Sequence, residues 1–379
     1  AVMNRRQILR RATGLAAASI AAPLWAQSAG RIVLGQSAAL SGPAAALGLR
    51  FREGAMLHFD RLNAKGGVNG RQIELQSLDD GYEPDRCAEN TRKLIEGGAF
   101  ALFGYIGTPT SLAALPLATQ AKTPFFAPFT GAEALRAPFN RYAFHVRASY
   151  YDETAEIVHQ TTAIGIKRLG VFHQNDSYGK AGLEGVTRAL KPLGLEPTGL
   201  GTVERNTVDV DAAVKAVLAG KPDAIVQISA YKACAAFIRA ARKAGFGGTF
   251  YNVSFVGTKA LADELGADAR GVVVSQVVPF PFTPSSQLAG EYLAAGKAAL
   301  GDKFEPNYSS MEGYVAARTF AEGLKRGGAG TGADGLITGL ESLRDFNLGG
   351  FFVDFSPTRH TGSKYVDLTI LTADGHVRR

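Results

Sequence analysis

Hydrophobic and polar positions alternate along this chain with two periods. "RIVLGQSAAL" (31–40) reads as a strand, and "LGLRFREGAMLHFDRLNAKGG" (47–67) puts Leu47, Phe51, Ala55, Phe59 and Leu62 on one helical face before Gly66-Gly67 stops it. "RQIELQSL" alternates as a strand with Ile73 and Leu75 inward, and "PDRCAENTRKLIEGG" is a helix with a glycine end. "AFALFGY" is a short, wholly apolar strand of the kind covered on both faces. The pattern then predicts helix 110–121, strands in "TPFFAPF" and "YAFHVRA", helix 151–165 and a strand in "RLGVFHQN". Helices 179–193 and 209–219, a strand in "DAIVQIS", helix 232–245, and strands in "TFYNVSF" and "GVVVSQVV" follow. Long helices are expected near 285–300 and 309–326, with β signals from Phe351 to Val377. This rhythm predicts an α/β fold with mainly parallel sheets.

A length of 379 residues suggests two domains, and 46% apolar with 20% charged residues is a globular balance. The net charge of +7 changes the picture less than it first suggests. Arg5, Arg6, Arg10 and Arg11 supply four of those charges, and no acid occurs among the first 26 residues. "MNRRQILRR" followed by the Ala-rich "ATGLAAASIAAPLWA" reads as an export leader over residues 1–26, with "NRRQILR" similar to a twin-arginine signal. The expected location is therefore the periplasm, with the leader removed. No basic cluster interleaved with aromatics points to nucleic acid. The two cysteines, Cys87 and Cys234, lie 147 positions apart with no CxxC, so two free, packed thiols are expected, and no structural metal.

In parallel α/β sheets, ligands gather outside the carboxyl ends of the strands. Five such ends here carry small or hydroxylated residues: 37–48, 104–111, 127–135, 174–182 and 228–233. Backbone N–H groups at a helix start, helped by Ser or Thr hydroxyls, can hold an anion without a formal charge. Catalytic patterns are missing from the sequence. None of the six histidines stands in HExxH, and there is no GxSxG, GxxxxGK[ST] or GxGxxG after the first strand. His173, beside Asn175 and Asp176, is read as structural, and Asp79-Asp80 as caps of the following helix. No catalytic residue and no cofactor are expected.

"IVLGQSAALSGPAAALGLRFREGAMLHFDRLNAKGGVNGRQIELQSLDDGYEP" resembles the opening of the type I periplasmic solute-binding proteins, and more narrowly their branched-chain amino-acid-binding, Leu/Ile/Val-binding protein-like group. "LFGYIGTPTSLAALPLA", "TPFFAPFTGAEALR", "HVRASYYDETAEIVH", "GVFHQNDSYGKAGLEGV" and "YVAARTFAEGLKRGG" continue the likeness in order. The resemblance implies a two-lobed clamshell with three crossings between lobes, expected near Arg147, Val277 and Asp354. Lobe 1 would comprise 31–146 and 278–353, and lobe 2 147–277 and 354–379. It further implies a binder in an ABC importer that encloses a small carboxylate and passes it to inner-membrane permease subunits, with no chemistry performed.

By the same resemblance, Thr108, flanked by Gly107, would meet the ligand carboxylate, with further contacts from Phe129, Thr130 and Gly131. Tyr178 and Tyr231 would close from the second lobe. At the position where amino-acid binders of this group carry an acid for the ligand ammonium, this chain has Ser254. Either another acid replaces it, with Asp176 and Glu204 to consider, or the ligand lacks an amine, as an aromatic or keto acid does. A sensor feeding a signalling partner, and an exported enzyme, are the other function classes.

Overall fold

A computed structural model describes residues 30–328 and 332–379. The expected leader, residues 1–26, and with it Trp25, lies outside the described residues. The chain forms two lobes, each a largely parallel sheet flanked by helices. The first sheet joins β1 (Ile32–Ala38), β2 (Ile73–Asp79), β3 (Ala101–Phe103), β4 (Phe125–Phe126) and β5 (Ala143–Phe144) in the order β2-β1-β3-β4-β5. The second uses β6 (Leu169–Gln174), β7 (Gly199–Val203), β8 (Ala224–Ile228), β9 (Thr249–Asn252) and β10 (Val273–Gln276). After a two-stranded ribbon of β11 (Phe346–Asn347) and β12 (Phe352–Val353), β13 (Asp367–Leu371) and β14 (Val377–Arg378) close its edge antiparallel.

β3 and β6 are buried along their whole length because helices cover both faces. In the first lobe the Ala45–Ala64 helix turns Leu47, Phe51, Ala55 and Phe59 inward and crosses the Tyr308–Gly327 helix. The crossing is close: a Cβ on Gly54 would stand 1.7 Å from the Ser310 carbonyl oxygen. Only glycine lets the two backbones approach so far. Among the described residues no helix is long and apolar enough to cross a membrane.

Several elements depart from their expected extents. "TPFFAPF" yields only Phe125–Phe126, because Ala127 adopts φ +50° and Pro128 has no N–H to donate. "TFYNVSF" stops at Asn252. Ser254–Val256 is a 3-10 turn, and an unexpected helix, Thr258–Leu265, starts after Gly257 at φ +82°. A second unexpected helix spans Ala333–Glu341. Asp79 and Asp80 do not cap the following helix. Asp79 accepts from the Leu40 and Ser41 N–H groups, and Asp80 from the Ser37 hydroxyl and the Tyr82 N–H. The last crossing also falls later than Asp354. The His360 ring stacks on Phe144 at 3.7 Å, and Thr361 bridges to His145, so the chain stays with the first sheet until it enters β13 at Asp367. Cys87 and Cys234 are buried and unpaired.

Candidate functional site

The loops after β3 and β4 are stitched together at the carboxyl end of the first sheet. The Phe129 N–H donates to the Tyr105 carbonyl at 2.7 Å, and the Gly107 N–H to the Phe129 carbonyl at 3.2 Å. This brings Thr108, the first residue of the Thr108–Gln120 helix, against Thr130, with their hydroxyl oxygens 2.6 Å apart. Both residues are buried, and no side chain caps that helix. The positive end of the helix and two hydroxyls therefore converge without a formal charge. Gly107 is required here twice over: its φ is +96°, and a Cβ would stand 2.3 Å from Tyr82 Cε2. Gly131 lies equally tight, its carbonyl accepting from the Tyr150 N–H at 2.7 Å.

The facing wall carries charge. Arg147, on the crossing between the sheets, lies fully buried with its guanidinium 4.8 Å from the centre of the Phe129 ring. Its Nη2 donates to Ser254 Oγ at 2.6 Å and to Glu312 Oε2 at 3.1 Å, while Nε stands 2.8 Å from Glu312 Oε1. Burial would lower the pKa of this guanidinium, but Glu312 and Glu153 outweigh it and hold the pKa above its usual value. Burial pushes Glu312 up, with Arg147 opposing. Glu153, in the first turn of the Tyr150–Ala163 helix, accepts from the Ser254 N–H and the Ser275 hydroxyl, both at 2.7 Å through Oε1. Three buried polar atoms in this group have no hydrogen-bond partner: Arg147 Nη1, Glu153 Oε2 and the Tyr150 hydroxyl, whose pKa burial pushes up to about 12.

Aromatic rings fill the space between the walls. Phe255 lies 5.6 Å from Phe129, 4.6 Å from Tyr178 and 5.7 Å from Tyr82, centre to centre. Tyr178 is wholly buried in this group, near Tyr150. Gly107, Thr108, Phe129, Thr130, Gly131, Tyr178 and Ser254 thus come together around one cleft. Tyr231 sits instead at the seam, where its hydroxyl accepts from the Ala46 N–H at 3.3 Å. Further bonds cross the same seam: Gln174 to the Tyr82 hydroxyl, and Arg205 and Asn206 to Glu83. The two lobes are closed on one another.

Neither acid considered from the sequence stands free in the cleft. Asp176 caps the Ser177–Leu190 helix and pairs with Arg205, and Glu204 accepts from Asn175 in an exposed position. The residues that sequence reasoning passed over are Arg147 as a charge, Glu153, Glu312, Tyr82, Tyr150 and Phe255. Two signals pointed to some of them. "SYYD" spells the capping box that fixes the helix carrying Glu153. Glu312 is the one acid in the apolar and small-residue run from Tyr308 to Ala317, all of which is buried, Glu312 included. His173 has a ring nitrogen bonded to the Gln174 carbonyl, as a structural histidine would. Among the described residues no group of three potential metal ligands gathers.

The comparisons with known proteins agree with this architecture. The family model described as "Periplasmic binding protein" matches residues 31–376. A crystal structure of a possible leucine/isoleucine/valine-binding protein from Rhodopirellula baltica superposes with a TM-score of 0.88 at 36% identity, covering 93% of this chain and 96% of that one. A substrate-binding periplasmic protein from Ralstonia solanacearum gives 0.85 at 32% identity, covering 91% and 99%. An amino acid binding protein of Pseudomonas aeruginosa is 23% identical over 303 residues, 79% of each chain. Two lobes in contact through their strand-end loops and the match along nearly the whole described chain place this protein in the periplasmic binding protein family, whose members bind solutes and are not enzymes.

Proposed function

We propose that the chain is the solute-binding component of an ABC importer, holding a small carboxylate between its lobes and delivering it to permease subunits in the inner membrane. The observation that carries this reading is the Thr108–Thr130 hydroxyl pair, buried at an uncapped helix start between closed lobes. A carboxylate there would accept hydroxyl and N–H donors already in place, so little reorganisation is needed. The printed descriptions of the relatives, an amino acid binder and a leucine/isoleucine/valine binder, support a ligand of that size and charge. The rings of Phe129, Phe255 and Tyr178 suit an apolar side chain. The ligand drives closure only through its higher affinity for the closed form. Location in the periplasm after removal of a leader over 1–26 belongs to the same reading.

A thermal-shift screen of amino acids against aromatic and aliphatic acids tests it. A ligand at 100 times its Kd should stabilise the protein by about 2.7 kcal/mol, an easily read rise in Tm. No shift with any small carboxylate would reject the proposal. Co-purification with a permease separates an importer component from a sensor, which would bring down a signalling partner instead.

A further inference from the structure

Two adjoining cavities lie on the first lobe, away from the cleft. Their volumes are about 350 and 280 Å³, and they share His58, Leu62 and Arg318 as lining. The Ala45–Ala64 helix begins at the seam, where the Ala46 N–H meets Tyr231, and carries His58 toward its other end. At about 1.5 Å per residue, His58 stands ~18 Å along that helix from Ala46. The smaller cavity is charged: Arg61, Lys65, Arg318 and Glu291 line it with His58 and Tyr314. Glu291, on the Gln287–Leu300 helix, is paired with Arg318 at 2.5 Å. Arg61 and Lys65 have no ion-pair partner among the described residues, so two cations stand uncompensated. His58 rests edge-on against Tyr314, ring centres 5.6 Å apart, and makes no hydrogen bond to a described residue. Burial, with Arg318, Arg61 and Lys65 adding to it, lowers its pKa from 6.5 to about 3. The ring is therefore neutral and keeps one N–H to donate. The larger cavity adds apolar surface from Leu62, Val68, Ala321, Phe346 and Leu348, with Lys325 beside them. Its one acid, Glu322, is paired with Arg326 at 2.8 Å.

We propose that the joined cavities form a second ligand site, independent of the cleft, for a phosphomonoester: its phosphoryl group beside Arg61, Lys65 and His58, its organic body against Leu62, Phe346 and Leu348. A phosphomonoester carries about two negative charges near neutral pH. That equals the charge of the two cations left over once Glu291 is paired with Arg318. A monocarboxylate would leave one of them unmatched. The three phosphoryl oxygens accept from the Arg61 fork, the Lys65 ammonium and the neutral His58 N–H together. A soluble phosphomonoester and a membrane lipid with the same head, phosphatidic acid, share this chemistry.

The test is titration calorimetry in phosphate-free buffer with phenyl phosphate and with phenyl sulfate, a monoanion of the same shape. A parallel arm measures retention on phosphatidylcholine vesicles with and without phosphatidic acid. The expected result is saturable binding of phenyl phosphate, or retention only on the vesicles that contain phosphatidic acid, with phenyl sulfate weaker than phenyl phosphate. The first outcome makes the source a soluble compound and the second makes it the membrane. Arg61→Gln combined with Lys65→Gln should weaken either by about tenfold, two exposed charge contacts being lost together. Both side chains are exposed at the end of their helix, so this variant is expected to fold. Binding that is unchanged in the double variant lies elsewhere, the cleft included, and overturns the proposal. Equal affinity for phenyl phosphate and phenyl sulfate on the unaltered protein overturns it too, as does binding of neither probe and no retention on phosphatidic acid. None of these results touches the reading of the cleft, which the thermal-shift screen of carboxylates decides separately.

Discussion

The two walls of the cleft are built on opposite principles. The wall from the first lobe is neutral: Thr108, Thr130 and Gly107 present hydroxyls and a helix start, and all come from two loops 22 residues apart. The other wall is a charge network that spans both lobes: Arg147 on the crossing joins Glu153, Ser254 and Ser275 to Glu312 of the first-lobe Tyr308–Gly327 helix, across up to 165 residues of chain. Neutral donors can release a ligand without leaving a bare charge behind. Buried charges fix geometry, but only while each one keeps a partner. The first wall is thus suited to exchange, and the second to setting which ligand fits.

The largest expected effect falls on the charged wall. Arg147→Met leaves Glu312 and Glu153 buried without their cation, and should cost about 3–5 kcal/mol in urea unfolding. Adding Glu312→Leu should recover much of it. A single variant as stable as the parent would mean that the two walls do not differ in kind.

The neutral wall has one buried acid behind it. Asp80, fully buried, accepts from Ser37 and from the N–H of Tyr82, the residue that packs on Gly107. Burial pushes its carboxyl up from 3.8 to about 6, against the opposing hydrogen bonds. The folded protein then holds this proton more tightly than the unfolded chain does. The contribution is fully present below about pH 4 and is lost as pH rises through about 6, by at most about 3 kcal/mol. Asp80→Asn should abolish that slope, so denaturation of both proteins between pH 4 and 7 should show the variant gaining on the parent.

Removing one hydroxyl from the neutral wall should act on ligand more than on fold. Thr108→Ala is expected to cost about 1–2 kcal/mol of affinity, close to tenfold, by calorimetry. The smallest effect belongs to the seam. Tyr231→Phe removes the acceptor of the Ala46 N–H and should weaken the closed form by about 1 kcal/mol, seen as faster ligand dissociation.

The same contrast explains what could be read from the sequence. Local periodicity was enough for the α/β class and the helix carrying Leu47 to Phe59, since each is written in short continuous stretches, whereas Thr108 was singled out by the resemblance to the family. Glu153 and Arg147 sat in plain view in "HVRASYYDETAEIVH", yet their roles need Ser254, Ser275 and Glu312, which no local pattern brings near. The third crossing was placed early because the stacking of His360 on Phe144 is a tertiary contact. The helix Thr258–Leu265 was missed because an apolar run, "TFYNVSFVG", hides the turn at Gly257. Tyr231 was expected over the ligand from the resemblance to the family; its hydroxyl accepts from the Ala46 N–H of the opposite lobe, a contact no local pattern shows.

The central claim is that a small carboxylate is gripped between these two walls. A crystal structure of the protein with the ligand picked out by the thermal-shift screen addresses it most directly. The account predicts ligand density enclosed by both lobes, with the carboxylate in hydrogen-bond reach of Thr108 and Thr130. Density elsewhere, for example in the cavity of about 350 Å³ lined by His58, Arg318 and Lys325, with the interlobe cleft empty, would contradict it.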